Sequence, residues 1–272
     1  MNFLQLFADY NYIFAIIVPI ITGIAGFMLT KYNRYVKKKK INAILKLTKT
    51  DVDIIVPTRK GIVKPAGKAT PLDTFYVAFN DALALHDVID VVQTTGHKIS
   101  FRTEKSNDFD GSKDIFCIGG PLANETVAAL FKKCFASVKF GIPPTSIKDN
   151  PQHYESLKDF IYEEASDDVG SIYFNKSPFN FTRGEDGCIV LIRLIGEYTL
   201  GNKEHGTVHI CFGNSVATSR LASQCYTKYL PELHRRLKEI KGNYFVVLKC
   251  TDRGIIDFNS FKDYMQEVFR IE

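Results

Sequence analysis

Two stretches of this chain place glycine and small polar residues directly after an apolar run. In the first, the apolar Asp114–Ile118 leads into Gly119 and Gly120, and a helix-like stretch opens soon after. A glycine turn that leads from a strand into a helix directs backbone N–H groups outward, and such groups bind phosphate. The candidate ligand-binding residues here are Gly119, Gly120, Asn124, Glu125 and Thr126. The alternative is an ordinary strand-to-helix turn, because neither a P-loop lysine nor a complete G-x-G-x-x-G is present.

The second stretch, His209–Ser223, repeats this order of apolar run, glycine and small-residue helix start. When Cys117 is placed on Cys211, Gly119 falls on Gly213. Two such turns in one domain can face a single polyanionic ligand. The candidate residues of the second turn are Gly213, Asn214, Ser215 and Thr218.

A basic loop is predicted over Thr58–Pro71, after the apolar strand Asp53–Pro57. Ligands of open α/β sheets bind beyond the carboxyl ends of the parallel strands, which is where this loop begins. Its candidate ligand-binding residues are Thr58, Arg59, Lys64 and Lys68. A solvated loop without a ligand is the alternative.

Other chemistries find little support in the sequence. His205 and His209 lie four residues apart but across a turn, without a nearby cysteine or carboxylate, so no metal site is expected. No hydrolase, metalloprotease or kinase signature is present. In a cytoplasmic domain we expect the six cysteines to be reduced core residues. Glu125 or Asp81 would be the general base if the protein were an enzyme.

The elements that would position these residues alternate between strand and helix. The pattern predicts a mainly parallel sheet with covering helices, a Rossmann-like α/β domain. In the helix predicted over Asp73–Thr95, we expect Asp81, Asp87 and Asp90 to face solvent. The predicted elements of the first half, residues 51–142, are strand Asp53–Pro57, helix Asp73–Thr95, strands Lys98–Arg102 and Asp114–Ile118, helix Asn124–Phe135 and strand Ala136–Ile142.

A connector over residues 143–187 separates the two halves of the domain. We expect a helix at Gln152–Ala165, a strand at Ser171–Asn175 and a loop at Ser177–Gly187. In that loop, Phe179 and Phe181 either fill the core or form a ligand wall on which a purine stacks.

The second half, 188–272, is predicted to begin with a hairpin of Cys188–Tyr198 and Thr207–Phe212. A helix follows at Ser215–Lys241, and Pro231 should split it near Tyr229. The last predicted elements are a strand, Asn243–Cys250, and a helix, Phe258–Phe269.

An uncharged run of 18 residues, Ile13–Thr30, lies near the N-terminus. As a helix it would measure about 27 Å, enough to cross a bilayer core. Of the 35 basic residues, eight lie in Lys31–Lys49, and the rest of the chain has 27 against 30 acids. The basic cluster therefore predicts a single-pass anchor (residues 1–30) in the cell membrane, a juxtamembrane stalk (31–50) and a cytoplasmic domain (51–272). The alternative for Ile13–Thr30 is a helix buried in the core. Because the rest of the chain is slightly acidic, we do not expect a nucleic acid polymer as a partner.

An anchored domain with turns at Gly119–Thr126 and Gly213–Ser219 resembles prokaryotic nucleotide-sensing effectors with CARF-like, SLOG or TIR-like Rossmannoid domains. The resemblance implies a membrane-anchored sensor of a nucleotide or cyclic nucleotide, a phosphate-bearing small molecule. We also expect a homo-oligomer, because Pro19, Gly23 and Gly26 give the anchor small faces. A nucleotide or nucleotide-sugar enzyme and a membrane scaffold without a ligand remain as alternatives.

Overall fold

The computed structural model describes residues 3–57, 59–63, 70–103, 112–142, 162–164, 169–175, 177–182, 185–196, 206–251 and 253–268. The chain divides into two compact units, Met1–Lys40 and Ile41–Glu272. The second unit holds the sheets, and it begins ten residues before the predicted domain boundary at Asp51.

The first helix, α1 (Phe3–Leu45), is continuous over 43 residues. Its side chains are described from Ile17 onward, and many large apolar ones are exposed, Ile21 to 60% and Phe27 to 61%. Pro19 lies inside the helix, and the hydroxyls of Thr22 and Thr30 donate to carbonyl oxygens of the preceding turn. Among the residues that the structure describes, no helix combines the length and the apolar character needed to cross a membrane.

The first half of the α/β unit differs from the prediction in the segment that follows the first strand. The predicted loop Thr58–Pro71 contains strand β2 (Arg59–Val63), which pairs antiparallel with β3 (Thr70–Tyr76). Asp73 lies in β3, so the helix predicted from Asp73 begins only at Phe79. Phe75 fits a helical spacing with Phe79 and Leu83, which is why the prediction included it in the helix, whereas the structure places it in β3. The elements are β1 (Asp51–Val56), β2 (Arg59–Val63), β3 (Thr70–Tyr76), α2 (Phe79–Thr95), β4 (Lys98–Thr103), β5 (Asp114–Ile118) and α3 (Glu125–Cys134).

The connector contributes three strands to a separate sheet, whose fourth strand is the one predicted at Ala136–Ile142. Of the helix, strand and loop predicted in the connector, the strand at Ser171–Asn175 is confirmed. Strands β6 (Val138–Ile142), β7 (Tyr162–Glu164), β8 (Val169–Phe174) and β9 (Ser177–Thr182) form four strands in the order β7-β6-β8-β9. The predicted loop Ser177–Gly187 is therefore wrong over β9, and the predicted helix Gln152–Ala165 is wrong at Tyr162–Glu164. Its earlier residues lie outside the described part of the chain. Phe179 and Phe181 are each 7% exposed, so they fill the core as the first of the two interpretations held.

The second half follows the prediction until its last element. It contains β10 (Asp186–Ile195), β11 (Thr207–Gly213), α4 (Val216–Gln224), α5 (Leu230–Leu237), β12 (Tyr244–Thr251), β13 (Ile256–Asp263) and α6 (Met265–Val268). The hairpin and the break before Pro231 are confirmed. The helix predicted at Phe258–Phe269 is wrong, because Gly254 turns the chain at a φ of 79° and β13 pairs back on β12. The helix that remains, α6, is only four residues long.

The main sheet has seven strands in the order β13-β12-β10-β11-β5-β1-β4. Strands β11, β5, β1 and β4 are parallel, whereas β10, β12 and β13 run antiparallel to their neighbours. The α/β class is confirmed, and the sheet is mixed rather than mainly parallel. The difference arises because β10–β11 and β12–β13 are sequential antiparallel pairs, which do not need a helical crossover.

Each face of the main sheet has its own apolar core. On one face, Val52, Ile54 and Val56 of β1 pack with α2, α4, α5 and the last turn of α1. On the other face, Ile55 packs in a core that includes α3, the four-stranded sheet and α6. The alternation along β1 follows the two-residue period of a strand. Helices α2 and α3 therefore cover opposite faces of the sheet.

Candidate functional site

The candidate site lies beyond the carboxyl ends of β1, β5 and β11. Strand β1 pairs with β4 on one side and with β5 on the other. The helix after β1 packs on one face and the helix after β5 on the opposite face. The topology thus changes direction between β1 and β5, and open α/β sheets bind ligands in the crevice at such a point. We call this region the β1–β5 crevice.

The turn after β5 is packed tightly between the neighbouring strand ends. Gly119 has a φ of 89°, a left-handed conformation that favours glycine, and its N–H donates to the oxygen of Cys211 over 3.1 Å. A Cβ on Gly119 would lie 3.1 Å from Cγ of Pro57, and one on Gly120 would lie 2.8 Å from Cδ2 of Phe212. Both glycines are therefore required by the packing of the protein itself.

Asn124 begins α3 as its N-cap. Its side-chain oxygen accepts hydrogen bonds from the N–H groups of Thr126 and Val127, at 3.1 and 3.2 Å. Its amide nitrogen donates to the oxygen of Ile118 over 2.9 Å, so the cap also ties the helix to the end of β5. Asn124 and Thr126 are buried, whereas Glu125 is exposed. The N–H groups that the sequence suggested for an anion are thus partly occupied by the cap.

The turn after β11 is capped in a similar way. Ser215 and Thr218 form a capping box at the start of α4, with the Thr218 N–H donating to the Ser215 hydroxyl over 3.2 Å. The side-chain oxygen of Asn214 accepts from the N–H of Cys188 over 2.9 Å. The N–H of Gly213 donates to the hydroxyl of Ser219 over 3.1 Å. Asn214 and Ser215 are exposed, but the hydrogen bond of Asn214 is made to β10, on the side of β11 away from β5.

The structure brings the two predicted turns together, because β5 and β11 are neighbours in the parallel part of the sheet. The basic loop is different: Thr58, Lys64 and Lys68 lie outside the described residues, and Arg59 is described only as the first residue of β2. Their contribution to a ligand site stays a prediction.

Of the three acidic residues of α2 that were predicted to face solvent, Asp90 is exposed, whereas Asp87 is half-buried and Asp81 is buried. Asp81, in the first turn, is 5% exposed. Asp87 accepts a hydrogen bond of 2.9 Å from the hydroxyl of Ser223 on α4. The prediction for Asp81 is wrong because α2 packs against both the sheet and α4, which leaves it a narrower exposed side than an isolated helix has. Asp81 lies near the site but is inside the fold.

Sequence reasoning missed a group of buried polar residues at the end of the main sheet that lies opposite the β1–β5 crevice. The Arg193 guanidinium is fully buried and donates to the main-chain oxygens of Ile44, Ile240 and Gly242. It also lies 4.6 Å from the ring of Tyr244. Desolvation by burial lowers the pKa of Arg193, an effect that the nearby Tyr244 opposes. A single charge within an apolar strand, CIVLIRLIG, was the sequence signal that could have identified it.

His209 and Thr207 bind the next two carbonyl groups along the chain, those of Leu45 at the end of α1 and of Lys46 just after it. His209 Nε2 donates to the oxygen of Leu45 over 2.7 Å, and the hydroxyl of Thr207 donates to the oxygen of Lys46 over 2.8 Å. Burial, with a smaller contribution from Arg193, lowers the pKa of His209 to about 3. The imidazole is therefore neutral at physiological pH.

Asp114 holds the segment that follows. Its carboxylate accepts from the N–H groups of Thr48 and Lys49, at 2.8 and 2.9 Å, and from the Thr48 hydroxyl at 3.1 Å. It also accepts from the N–H of Thr207 at 2.5 Å. We call Asp114, Arg193, Thr207 and His209 the α1 clamp, because together they bind the main chain from Ile44 to Lys49.

An ion-paired group around Asp53 lies near the β4 edge of the main sheet. Asp53 is 4% exposed and pairs with Arg102 at 2.5 Å and with Lys113 at 3.0 Å. Ser100 also donates to Asp53. The carboxylate is satisfied within the protein, so the group links β1, β4 and the start of β5 rather than offering a free acid.

The cysteines offer neither a disulfide nor a reactive thiol. All six are free, and Cys134 alone is not fully buried. Burial raises the pKa of Cys250 to about 11, which keeps its thiol protonated. Within the described ranges no cluster of histidine, cysteine and acidic residues could hold a metal ion.

Comparisons with known proteins do not assign the chain to a family. No family model matches it, and the searches of curated proteins and of solved structures each find no match. The function must therefore be inferred from the geometry of the chain.

Proposed function

We propose that this protein is a membrane-anchored sensor that binds a nucleotide or cyclic nucleotide at the β1–β5 crevice. The observation that carries this proposal is the change of direction between β1 and β5, with α2 and α3 on opposite faces. Two capped turns at the ends of β5 and β11 border the crevice, and exposed Glu125, Asn214 and Ser215 lie on them. Polar side chains at such a position fit a polar small molecule.

The capped helix starts restrict how a phosphate group would bind. Because Asn124 and Ser215 already accept from first-turn N–H groups, a phosphate would have to displace these caps or bind to side chains beside them. The predicted basic residues Arg59, Lys64 and Lys68 would supply the compensating positive charge. A nucleotide as the ligand is what the resemblance to nucleotide-sensing effectors implies.

The anchor is the second part of the proposal. The described apolar side chains of α1, from Ile17 to Leu29, are exposed to solvent, which is unfavourable for so many large groups in water. Insertion of this stretch into a bilayer would remove that cost. The basic residues from Lys31 to Lys40 would then place the α/β domain in the cytoplasm and the N-terminus outside. Gly23 and Gly26 have open space around them, which suits packing against copies of α1 in a homo-oligomer.

Mass spectrometry of small molecules that co-purify with the full-length protein tests the ligand directly. The protein should retain a phosphate-bearing compound, and the amount should fall in a variant with Lys64→Glu and Lys68→Glu. The variant Lys238→Glu is the control, since Lys238 is an exposed residue at the end of α5. If all three proteins retain equal amounts of the compound, the basic loop is not part of the ligand site.

An enzyme acting on a nucleotide is the second candidate function, because Glu125 is exposed at the first position of α3. An enzyme requires turnover of the bound compound by the wild-type protein. Glu125→Gln should abolish such turnover while leaving binding intact. If the wild-type protein binds the compound without changing it, the sensor is favoured.

A further inference from the structure

Strands β5 and β11 each carry a clamp residue at one end and a crevice turn at the other. Asp114 begins β5, and Gly119 follows its end. Thr207 begins β11, and Gly213 ends it. At about 3.3 Å per residue, the two ends of each strand are roughly 15–20 Å apart. The α1 clamp and the β1–β5 crevice are thus joined by the same two strands.

We propose that β5 and β11 couple ligand binding in the crevice to the hold on the C-terminal end of α1, so that α1 reports the occupancy of the domain. This inference rests on the proposed function for the identity of the crevice as a ligand site. It adds the route and the residues by which binding would reach α1.

The two strands move together because they are bonded along their length and at the turn. Ile115–Ile118 of β5 pair in parallel with Val208–Cys211 of β11. Beyond the last pair, Gly119 donates its N–H to Cys211. A shift of the Gly119 turn therefore acts on β11 as well as on β5.

The clamp is sensitive to such a shift because it consists of buried polar groups. Arg193, Thr207 and His209 are all 0% exposed and donate to successive carbonyl groups of α1 and Lys46. A buried donor that loses its acceptor bears the full cost of desolvation, so the clamp favours one fully bonded arrangement. Within the described residues Nδ1 of His209 has no hydrogen-bond partner, so one hydrogen bond and stacking on Phe116 hold the ring.

The backbone at Lys46, just after the end of α1, is strained. Lys46 has a φ of 48°, an uncommon conformation for a residue with a side chain. Its oxygen is held by Thr207, and its ammonium donates to the oxygen of Lys241 at 2.5 Å. The conformation persists because these contacts hold it, so loosening the clamp releases it.

Coupling is reciprocal, so a weakened clamp must loosen the crevice turns even when no ligand is present. The test uses hydrogen–deuterium exchange on the full-length protein in detergent, with Thr207→Val and Thr48→Val as clamp variants. The first removes the hydrogen bond to Lys46 and the second the one from the Thr48 hydroxyl to Asp114. The control is Thr95→Val, which removes a buried threonine hydroxyl bonded within α2 and to His97.

The readout is exchange at the amides of Gly119, Val127 and Gly213, relative to Val246 and Val247 of β12. Both clamp variants should raise this relative exchange about fivefold, the ratio that corresponds to one net hydrogen bond of roughly 1 kcal/mol. Thr95→Val should leave it unchanged. If both clamp variants behave like the control, the coupling does not exist. If Thr207→Val does not fold, Thr48→Val, whose side chain is exposed, still decides the question.

This experiment contains no ligand, so its failure is distinct from failure of the proposed function. Loss of the nucleotide proposal would come from a binding screen, whereas loss of the coupling would come from equal exchange in the clamp and control variants.

Discussion

His209 on β11 donates a hydrogen bond from Nε2 to the main-chain oxygen of Leu45, the last residue of α1, over 2.7 Å. The acceptor is a carbonyl, so the ring carries its proton on Nε2, and burial keeps it neutral. This bond makes the end of α1 part of the α/β unit. The predicted stalk, residues 31–50, therefore ends inside the domain rather than outside it.

Protonation of His209 gives the first prediction. Its pKa is about 3 in the folded protein and about 6.5 in the unfolded chain. The folded state cannot take up this proton, so the stability that His209 contributes is complete above about pH 6.5 and is lost as the pH falls towards 3. Between pH 7 and pH 5 the loss should be about 2 kcal/mol.

Urea denaturation at the two pH values measures this loss. His209→Gln retains an N–H donor but does not titrate, so its free energy of unfolding should fall by about 2 kcal/mol less over the same interval. His86→Gln, at an exposed position, is the control and should behave as the wild type does. Equal pH dependence in His209→Gln and the wild type would contradict the buried neutral imidazole.

The domain boundary gives the second prediction. Ile41, Ile44 and Leu45 are at most 1% exposed, and burial of such side chains contributes roughly 1.5–3 kcal/mol each. A fragment 41–272 should therefore fold, whereas 51–272 should lose about 5 kcal/mol, leave His209 without its acceptor and deprive Arg193 of the Ile44 oxygen. Thermal unfolding and size-exclusion chromatography compare the two fragments. A cooperative, equally stable melt of 51–272 would show that the last turn of α1 is dispensable.

Glycine substitutions give the third prediction. A Cβ on Gly213 would overlap Thr218, whereas Gly242 has nothing within 4 Å of that position. Gly213→Ala should lower the free energy of unfolding by about 1–3 kcal/mol through overpacking, and Gly242→Ala should change it by less than about 0.5 kcal/mol. Denaturation midpoints report both. A Gly213→Ala protein as stable as Gly242→Ala would place the glycine requirement on a ligand alone.

The sequence predicted most strands of the main sheet because each is a short apolar run bounded by turn residues, as Asp114–Ile118 and Tyr244–Thr251 show. It predicted the two turns correctly because glycine marked them. It failed at β3 and β13, where aromatic residues such as Phe75 and Phe258 fit both helical and strand spacing. In these segments pairing with a distant strand decides the conformation, and pairing is not visible locally.

The α1 clamp could not be predicted from the sequence, for a different reason. Arg193 and Ile44 are 149 residues apart, and Thr48 and Asp114 are 66 apart. Periodicity identifies which face of an element is apolar but not which distant carbonyl group a buried donor meets. Likewise, Gly119 suggested a ligand contact, whereas its positive φ and the closeness of Pro57 to the position of a Cβ give it a role in the fold as well.

Membrane orientation gives the fourth prediction. A reporter fused after Glu272 should be active in the cytoplasm, since the basic cluster from Lys31 follows the apolar stretch. Replacement of Lys37–Lys40 by glutamine should raise the fraction of inverted molecules. Activity of the wild-type fusion on the outer side of the membrane would contradict the proposed orientation.

Ligand binding by the α/β domain is the central claim, and calorimetric melting of the full-length protein with mono-, di- and cyclic nucleotides tests it most directly. A ligand at about 100 times its dissociation constant adds about 2.7 kcal/mol to the native state. We predict that at least one nucleotide raises the melting temperature by several degrees, at roughly 2–4 °C per kcal/mol. The rise should shrink with salt and with charge reversal at Lys64 and Lys68. No shift with any nucleotide, or a shift unaffected by reversing the basic loop, would contradict the account.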